Sequence, residues 1–191
     1  FTPIDESHPI KPINPYGHSK VMVEQALADL THAHGFQYAA LRYFNAAGAD
    51  PSGKLSERHD PETHLIPLVL QVANGQRDAI TIYGQDYATP DGTCVRDYVH
   101  VTDLCDAHLR ALLQLESGKK NLIYNLGTGQ GYSVKQVIET AREITRCEIP
   151  VKIGARREGD PATLVADASN AMRDLEWTPK YSDLTKIVQT A

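Results

Sequence analysis

Segments with helical and strand periodicity alternate along these 191 residues, and this alternation limits the available folds more than any single residue does. The stretch NPYGHSKVMVEQ opens the first helix: Asn14 is a favoured N-cap, Pro15 a favoured first helical residue, and Gly35 a stop just past His34. YAALRYF (38–44), rich in strand formers, follows at once. LIPLVLQVANG then reads as an apolar helix closed by Gly75, ITIYG as a short strand, QDYATPDGT as a polar hairpin-like stretch and CVRDYVHV as a further strand. Thr102 with Asp103 is expected to cap the helix DLCDAHLRALLQLESG. LIYNL reads as a strand, GTGQGYS as a turn, VKQVIETAREIT as an amphipathic helix and VKIG as a strand, while RREGDPATLVAD reads as irregular. Short helices are expected near 170–175 and from Asp183. The order predicts an α/β fold: a mainly parallel sheet covered by helices, followed by a smaller mixed lobe.

Charge and cysteine usage narrow the partners. The formal net charge of −5 comes from interspersed acids and bases with no basic stripe, so neither nucleic acid nor an anionic membrane is an expected partner and a small soluble ligand is. Cys94, Cys105 and Cys147 are far apart and lack metal-ligand spacing, which predicts reduced thiols and a cytoplasmic setting. No apolar run reaches bilayer-spanning length, and the start FTPIDESHPIKP lacks the regions of a signal peptide. Two motifs imitate functional ones. GTGQG (127–131) follows a strand and precedes a helix, but its glycine spacing departs from the dinucleotide fingerprint and VKIG carries no acid for a ribose. Among the eight histidines, His32 and His34 are too close to pair on one helix face, and His59 and His64 have no evident matching carboxylates, so no metal is expected.

Tyr16 and Lys20 stand at i and i+4, on one face of the first helix. Two readings fit that spacing: an exposed aromatic beside a lysine covering apolar surface, or a phenol held beside an ammonium group for proton transfer. The Tyr-x-x-x-Lys form is that of the short-chain dehydrogenase/reductase superfamily. The segments RYFNAAGAD (42–50), HLIPLVLQ (64–71), YGQDYATPDGTCVRDYVHVTDLCDAH (83–108), YNLGTGQGYSV (124–134) and RREGDPA (156–162) follow in the order and spacing of UDP-glucose 4-epimerases. The resemblance covers essentially the whole chain, with TPDGTCVRDYVHV among its most specific parts.

That resemblance implies part of a Rossmann-type sheet with helices on both faces plus a UDP-sugar-binding lobe. Residues 1–46 would belong to the NAD-binding domain and 47–191 mainly to the lobe, with 80–126 partly returning to the sheet. The family's first Rossmann strand, its Gly-rich turn and its catalytic Ser or Thr have no counterpart here, so the chain resembles the C-terminal part of an epimerase, and alone it is expected to be inactive. The implied activity interconverts UDP-glucose and UDP-galactose with NAD as hydride acceptor: oxidation at C4, turning of the 4-keto sugar and reduction on its other face. Tyr16 would exchange the hydroxyl proton. A phenol with the ordinary pKa of about 10 is seldom ionised near neutrality, and positive charge from Lys20 and oxidised NAD would favour its phenolate. Lys20 would also hold the nicotinamide ribose, with Tyr43 and Phe44 near the nicotinamide. Arg96 and Arg157 match positions that grip the UDP phosphates, although a surface ion pair with Asp97 or Glu158 is the other reading. Asn45 would contact substrate, Asp160 a ribose, Tyr83 uracil, and His64 with Leu65 the diphosphate and sugar; the aromatic residues could equally be core. Leu164 occupies a position that sets pocket size in the family, and its intermediate bulk implies some activity on UDP-N-acetylglucosamine. The resemblance also implies a homodimer. A nucleotide-sugar dehydratase and a binding module without catalysis remain the other readings.

Overall fold

In the computed structural model, which describes residues 2–191, α1 (Pro15–His34) begins and ends as its sequence dictates. The Asn14 side chain accepts from the Gly17 N–H at 2.8 Å, and Gly35, at φ 67°, donates its own N–H to the Thr31 carbonyl. β1 (Ala39–Tyr43) and β2 (Asn45–Ala47) follow, then α2 (Leu65–Ala73), β3 (Ile80–Tyr83), β4 (Val95–His100) and α3 (Val101–Glu116). β5 (Leu122–Leu126), β6 (Gly131–Ser133), α4 (Val134–Thr145), β7 (Val151–Gly154), β8 (Thr163–Leu164), α5 (Ser169–Asp174) and α6 (Leu184–Thr190) complete the chain.

The strands pair as the α/β alternation predicts, mostly in parallel. β1 runs beside β5, β2 and β8 beside β4, and β3 beside β7; only β6 meets its neighbour, β4, antiparallel. Among the described residues the result is three small sheets. Two segments differ from the sequence reading. GTGQGYS contributes β6, and the irregular RREGDPATLVAD contributes β8, because both lie along β4 and take up its backbone hydrogen bonds. Strands of two or three residues are too short to show a period.

Two apolar cores flank β4. One joins α2, α4 and α6 through Ile66, Val69, Val137, Ile138 and Ile187. The other gathers Leu104, Leu126 and the fully buried Trp177, whose indole N–H donates to the Asp103 carbonyl at 2.9 Å. α1 stands apart from both: it buries no residue, and the Arg42–Glu24 ion pair ties it to β1.

The cap of α3 also differs from expectation. His100, not Thr102, is its N-cap, with Nδ1 accepting from the Thr102 N–H at 3.1 Å. The Asp103 carboxylate turns away from its own helix and accepts from the Lys180 and Tyr181 amides at 3.0 and 2.9 Å. An Asp near a helix start can cap another segment as readily as its own, and sequence cannot separate the two.

Asp97 joins the pieces around β4. Fully buried, its Oδ1 accepts from the Thr128 N–H and hydroxyl at 2.9 and 2.8 Å, and its Oδ2 from the Gly129 and Ala166 amides at 3.1 and 3.2 Å. Burial pushes its carboxyl up from the usual range against these bonds, which pull it down. This carboxylate is what fills the GTGQG turn, taking the amides a phosphate loop would offer, and a Cβ at Gly127 would stand 2.5 Å from Asp97 Oδ2. Asp97→Asn presents an NH2 to two buried donors. It is expected to lower unfolding free energy by roughly 2–5 kcal/mol. Urea unfolding measures this, and a loss under about 0.5 kcal/mol would mean that the clamp is not structural.

Candidate functional site

Side chains alternate across a strand, so Asp97 facing the clamp turns Arg96 to the opposite side of β4, into an open cleft of about 1150 Å³. Arg96 is largely buried there, with its guanidinium paired to Asp160 and donating to the Val95 carbonyl at 2.8 Å. The ion pair is real, but its partner is Asp160 and not the adjacent Asp97. Arg157 enters the same cleft from the segment after β7 and lies over the Tyr83 ring, its guanidinium carbon 4.1 Å from the centroid. Its neighbour Arg156 has a different task, stacking on Tyr87 at 4.2 Å and pairing with Asp86 at 2.7 Å outside the cleft.

Asn45, His64 and Leu65 line the cleft as well. Asn45 opens β2 two residues beyond the end of β1, and carboxyl ends of parallel strands are where such sheets bind ligands. His64 is the N-cap of α2 without a side-chain cap bond. Seven of the sequence-selected residues therefore converge: Asn45, His64, Leu65, Tyr83, Arg96, Arg157 and Asp160. Leu164 does not; half-buried in β8 opposite Arg96, it lies outside the cleft lining. Tyr16, Lys20, Tyr43 and Phe44 also lie outside it. Tyr16 is 72% exposed, with Lys20 Nζ 4.9 Å from its ring centroid, and Tyr43 is 49% exposed beside His108. This uncovered phenol and ammonium pair has the donor chemistry to meet ribose hydroxyls.

Sequence reasoning missed several cleft residues. Cys94, buried, points its thiol at Asp160, 3.8 Å away, and Arg77 adds a further cation to the wall. Glu57 and Glu62 supply the carboxylates that the sequence reading did not find for His59 and His64. No local periodicity marks the two glutamates, because the segment that carries them lies outside any helix or strand. Burial pushes the Glu62 carboxyl up, but bonds from the His64 and Thr63 amides and the His64 ring outweigh it and hold the group below the usual range.

Two guanidinium groups on one cleft suit a diphosphate. Arg157→Ala is expected to weaken inorganic pyrophosphate binding about tenfold, the share of one charge-assisted bond of about 1.5 kcal/mol. Calorimetry reads it at fixed salt, and unchanged affinity would remove Arg157 from the anion site.

Comparison with known proteins identifies the family. Residues 1–127 match the family model described as the NAD dependent epimerase/dehydratase family. The chain is 51% identical over 189 residues to a UDP-glucose 4-epimerase of Halalkalibacterium halodurans, covering 99% of this chain and 57% of that protein. The chain thus spans little more than half the length of the curated relatives it matches. Among solved structures, UDP-glucose 4-epimerase from Brucella ovis in complex with NAD superposes with a TM-score of 0.96 at 49% identity, covering 100% of this chain and 59% of that one. The Stenotrophomonas maltophila UDP-glucose 4-epimerase with bound NAD and formylated UDP-arabinopyranose gives 0.94 at 41% identity, covering 100% and 57%. With two thirds of its residues under the family model and its whole length on these folds, the chain belongs to the NAD dependent epimerase/dehydratase family.

Proposed function

We propose that this chain serves an NAD-dependent UDP-glucose 4-epimerase, interconverting UDP-glucose and UDP-galactose in galactose metabolism. The observation that carries the reading is the convergence of Arg96, Arg157, Asn45, Tyr83 and Asp160 on one cleft in a chain of this family. Arg96 and Arg157 hold the diphosphate, Tyr83 and Asp160 the uridine side, and Asn45, His64 and Leu65 bound the sugar and the adjoining phosphate. Firm grip on UDP with few contacts to the hexose leaves the sugar free to turn, which inversion at C4 requires.

NAD, when bound, supplies the hydride acceptor that an unactivated C–H bond needs and that no side chain provides. The exposed Tyr16 and Lys20 pair fits it: the ammonium group would donate to the nicotinamide ribose, and Tyr43 with Phe44 would lie near the ring. Tyr16 takes and returns the C4 hydroxyl proton, with the Lys20 ammonium group beside its ring. Under this reading residues 1–46 belong to the NAD-binding domain and 47–191 mainly to the UDP-sugar lobe. The return of 80–126 to the sheet is supported by the pairing of β1 with β5. The exposed apolar residues Met22, Val23 and Leu30 of α1, and a β1 that among the described residues pairs only with β5, suit cover by further sheet and helix. The enzyme acts as a homodimer in the cytoplasm. No helix among the described residues is long and apolar enough to cross a membrane, and the three cysteines are free, which suits that setting.

A second reading is favoured by the separation of Tyr16 and Lys20 from the cleft: this chain alone binds UDP-sugars without turning them over. The test is to incubate the purified protein with UDP-galactose, without added NAD, and record both UDP-glucose formed and intact mass. Conversion is the expected result from a species longer than this chain. Binding of UDP-galactose without conversion at the mass of this chain supports the second reading, and a longer species that neither binds nor converts it contradicts both. The same assay with UDP-N-acetylglucosamine is expected to show slower conversion, as the resemblance at Leu164 implies, although that side chain does not line the cleft; no detectable product from an enzyme active on UDP-galactose would overturn that range.

A further inference from the structure

Glu57, His59, Glu62 and His64, from one short stretch ahead of α2, meet on one wall of the cleft, each offering a ligand atom within 4.8 Å of the others. His64 Nδ1 is 2.9 Å from Glu62 Oε1 and 3.3 Å from Glu57 Oε1, and His59 Nδ1 is 3.7 Å from the same Glu62 oxygen. In a tetrahedral zinc site with bonds of about 2.0–2.2 Å, neighbouring ligand atoms stand about 3.3 Å apart. These three separations bracket that edge, and the other pairs lie within 4.8 Å. The two imidazole rings lie 5.3 Å apart between centroids and are tilted by 42°.

One ligand group is held by the backbone and the other three face solvent. The Glu62 side chain is only 8% exposed, and its Oε1 also accepts from the Thr63 and His64 amides at 2.6 and 2.7 Å, so one ligand is fixed in advance. Glu57, His59 and His64, each about half exposed, can close on an ion by small rotations. We propose that Glu57, His59, Glu62 and His64 bind a zinc-type divalent metal ion through two imidazole nitrogens and two carboxylate oxygens. Paired imidazoles select Zn2+ or Co2+ over Mg2+ and Ca2+, which demand six or more oxygen ligands. The ion ties residues 57–62 to the first turn of α2 and so stiffens the wall that carries Leu65 and, further on, Arg77. This inference is independent of the reaction proposed above, because its readout is metal binding.

Hydrogen-bonded His–Glu pairs alone would give similar distances, and cobalt separates the two cases. Titrating tag-free, metal-stripped protein with Co2+ is expected to produce the intense visible bands of tetrahedral cobalt, bleached by Zn2+ and unaffected by excess Mg2+. The double variant His59→Ala, Glu62→Gln is expected to lose these bands and to bind Zn2+ about tenfold more weakly or worse, since loss of an outer partner alone costs 10–100-fold. The single variant Glu57→Gln, on an exposed side chain, serves as the second readout and should weaken binding with unchanged circular dichroism. Absence of tetrahedral bands, or bands that survive in the double variant because other histidines hold the ion, would overturn the proposal.

Discussion

A buried carboxylate with four donors around it organises this molecule. Asp97 links β4 to the turn after β5 and to Ala166, two residues past β8, so three segments distant in sequence meet on one side chain. A buried charge left unpaired would be costly, and here each oxygen of Asp97 accepts two bonds. The same geometry sets the cleft. With Asp97 held inward, the alternation of β4 sends Arg96 outward, where Asp160 steadies its guanidinium beside Arg157 and Tyr83.

His100 plays a lesser, similar part at the other end of β4. Its Nδ1 caps α3 and its Nε2 lies 2.9 Å from the Thr190 hydroxyl of α6, which makes Nε2 the protonated nitrogen. Burial holds its pKa below the ordinary imidazole value, with Asp103 pulling the other way. The neutral ring therefore stabilises the fold fully above about pH 6.5, and that contribution fades as pH falls from there towards the lower folded value. Glycine at 48 is part of the arrangement: at φ 74°, a Cβ there would meet the His100 ring at 2.4 Å.

Much of this was legible in the sequence. Helix boundaries at Asn14–Pro15 and Gly35, the apolar α2, and the parallel pairing of short strands follow from cap chemistry and periodicity, which act over a few residues. The residues Arg96 and Arg157 could be selected, and their meeting in one cleft is a geometric outcome of the fold. What stayed hidden depends on contacts across long sequence separations. The partner of Arg96 is 64 residues away, the donors to Asp97 lie 31 to 69 residues away, and Asp103 caps a segment 77 residues on. β6 and β8 exist because β4 offers them hydrogen bonds, and Glu57 and Glu62 meet His59 and His64 through a loop with no period to read.

The Asp97 clamp sets the cleft proposed to take UDP, although Asp97 does not line it. Calorimetric titration of UDP into the protein and its Asp97→Asn variant, both verified as folded, tests this most directly. The account predicts UDP binding by the unaltered protein and about tenfold weaker binding by the variant, a coupling of about 1.4 kcal/mol through the strand. Equal affinity in the two proteins, or no affinity for UDP in either, would contradict it.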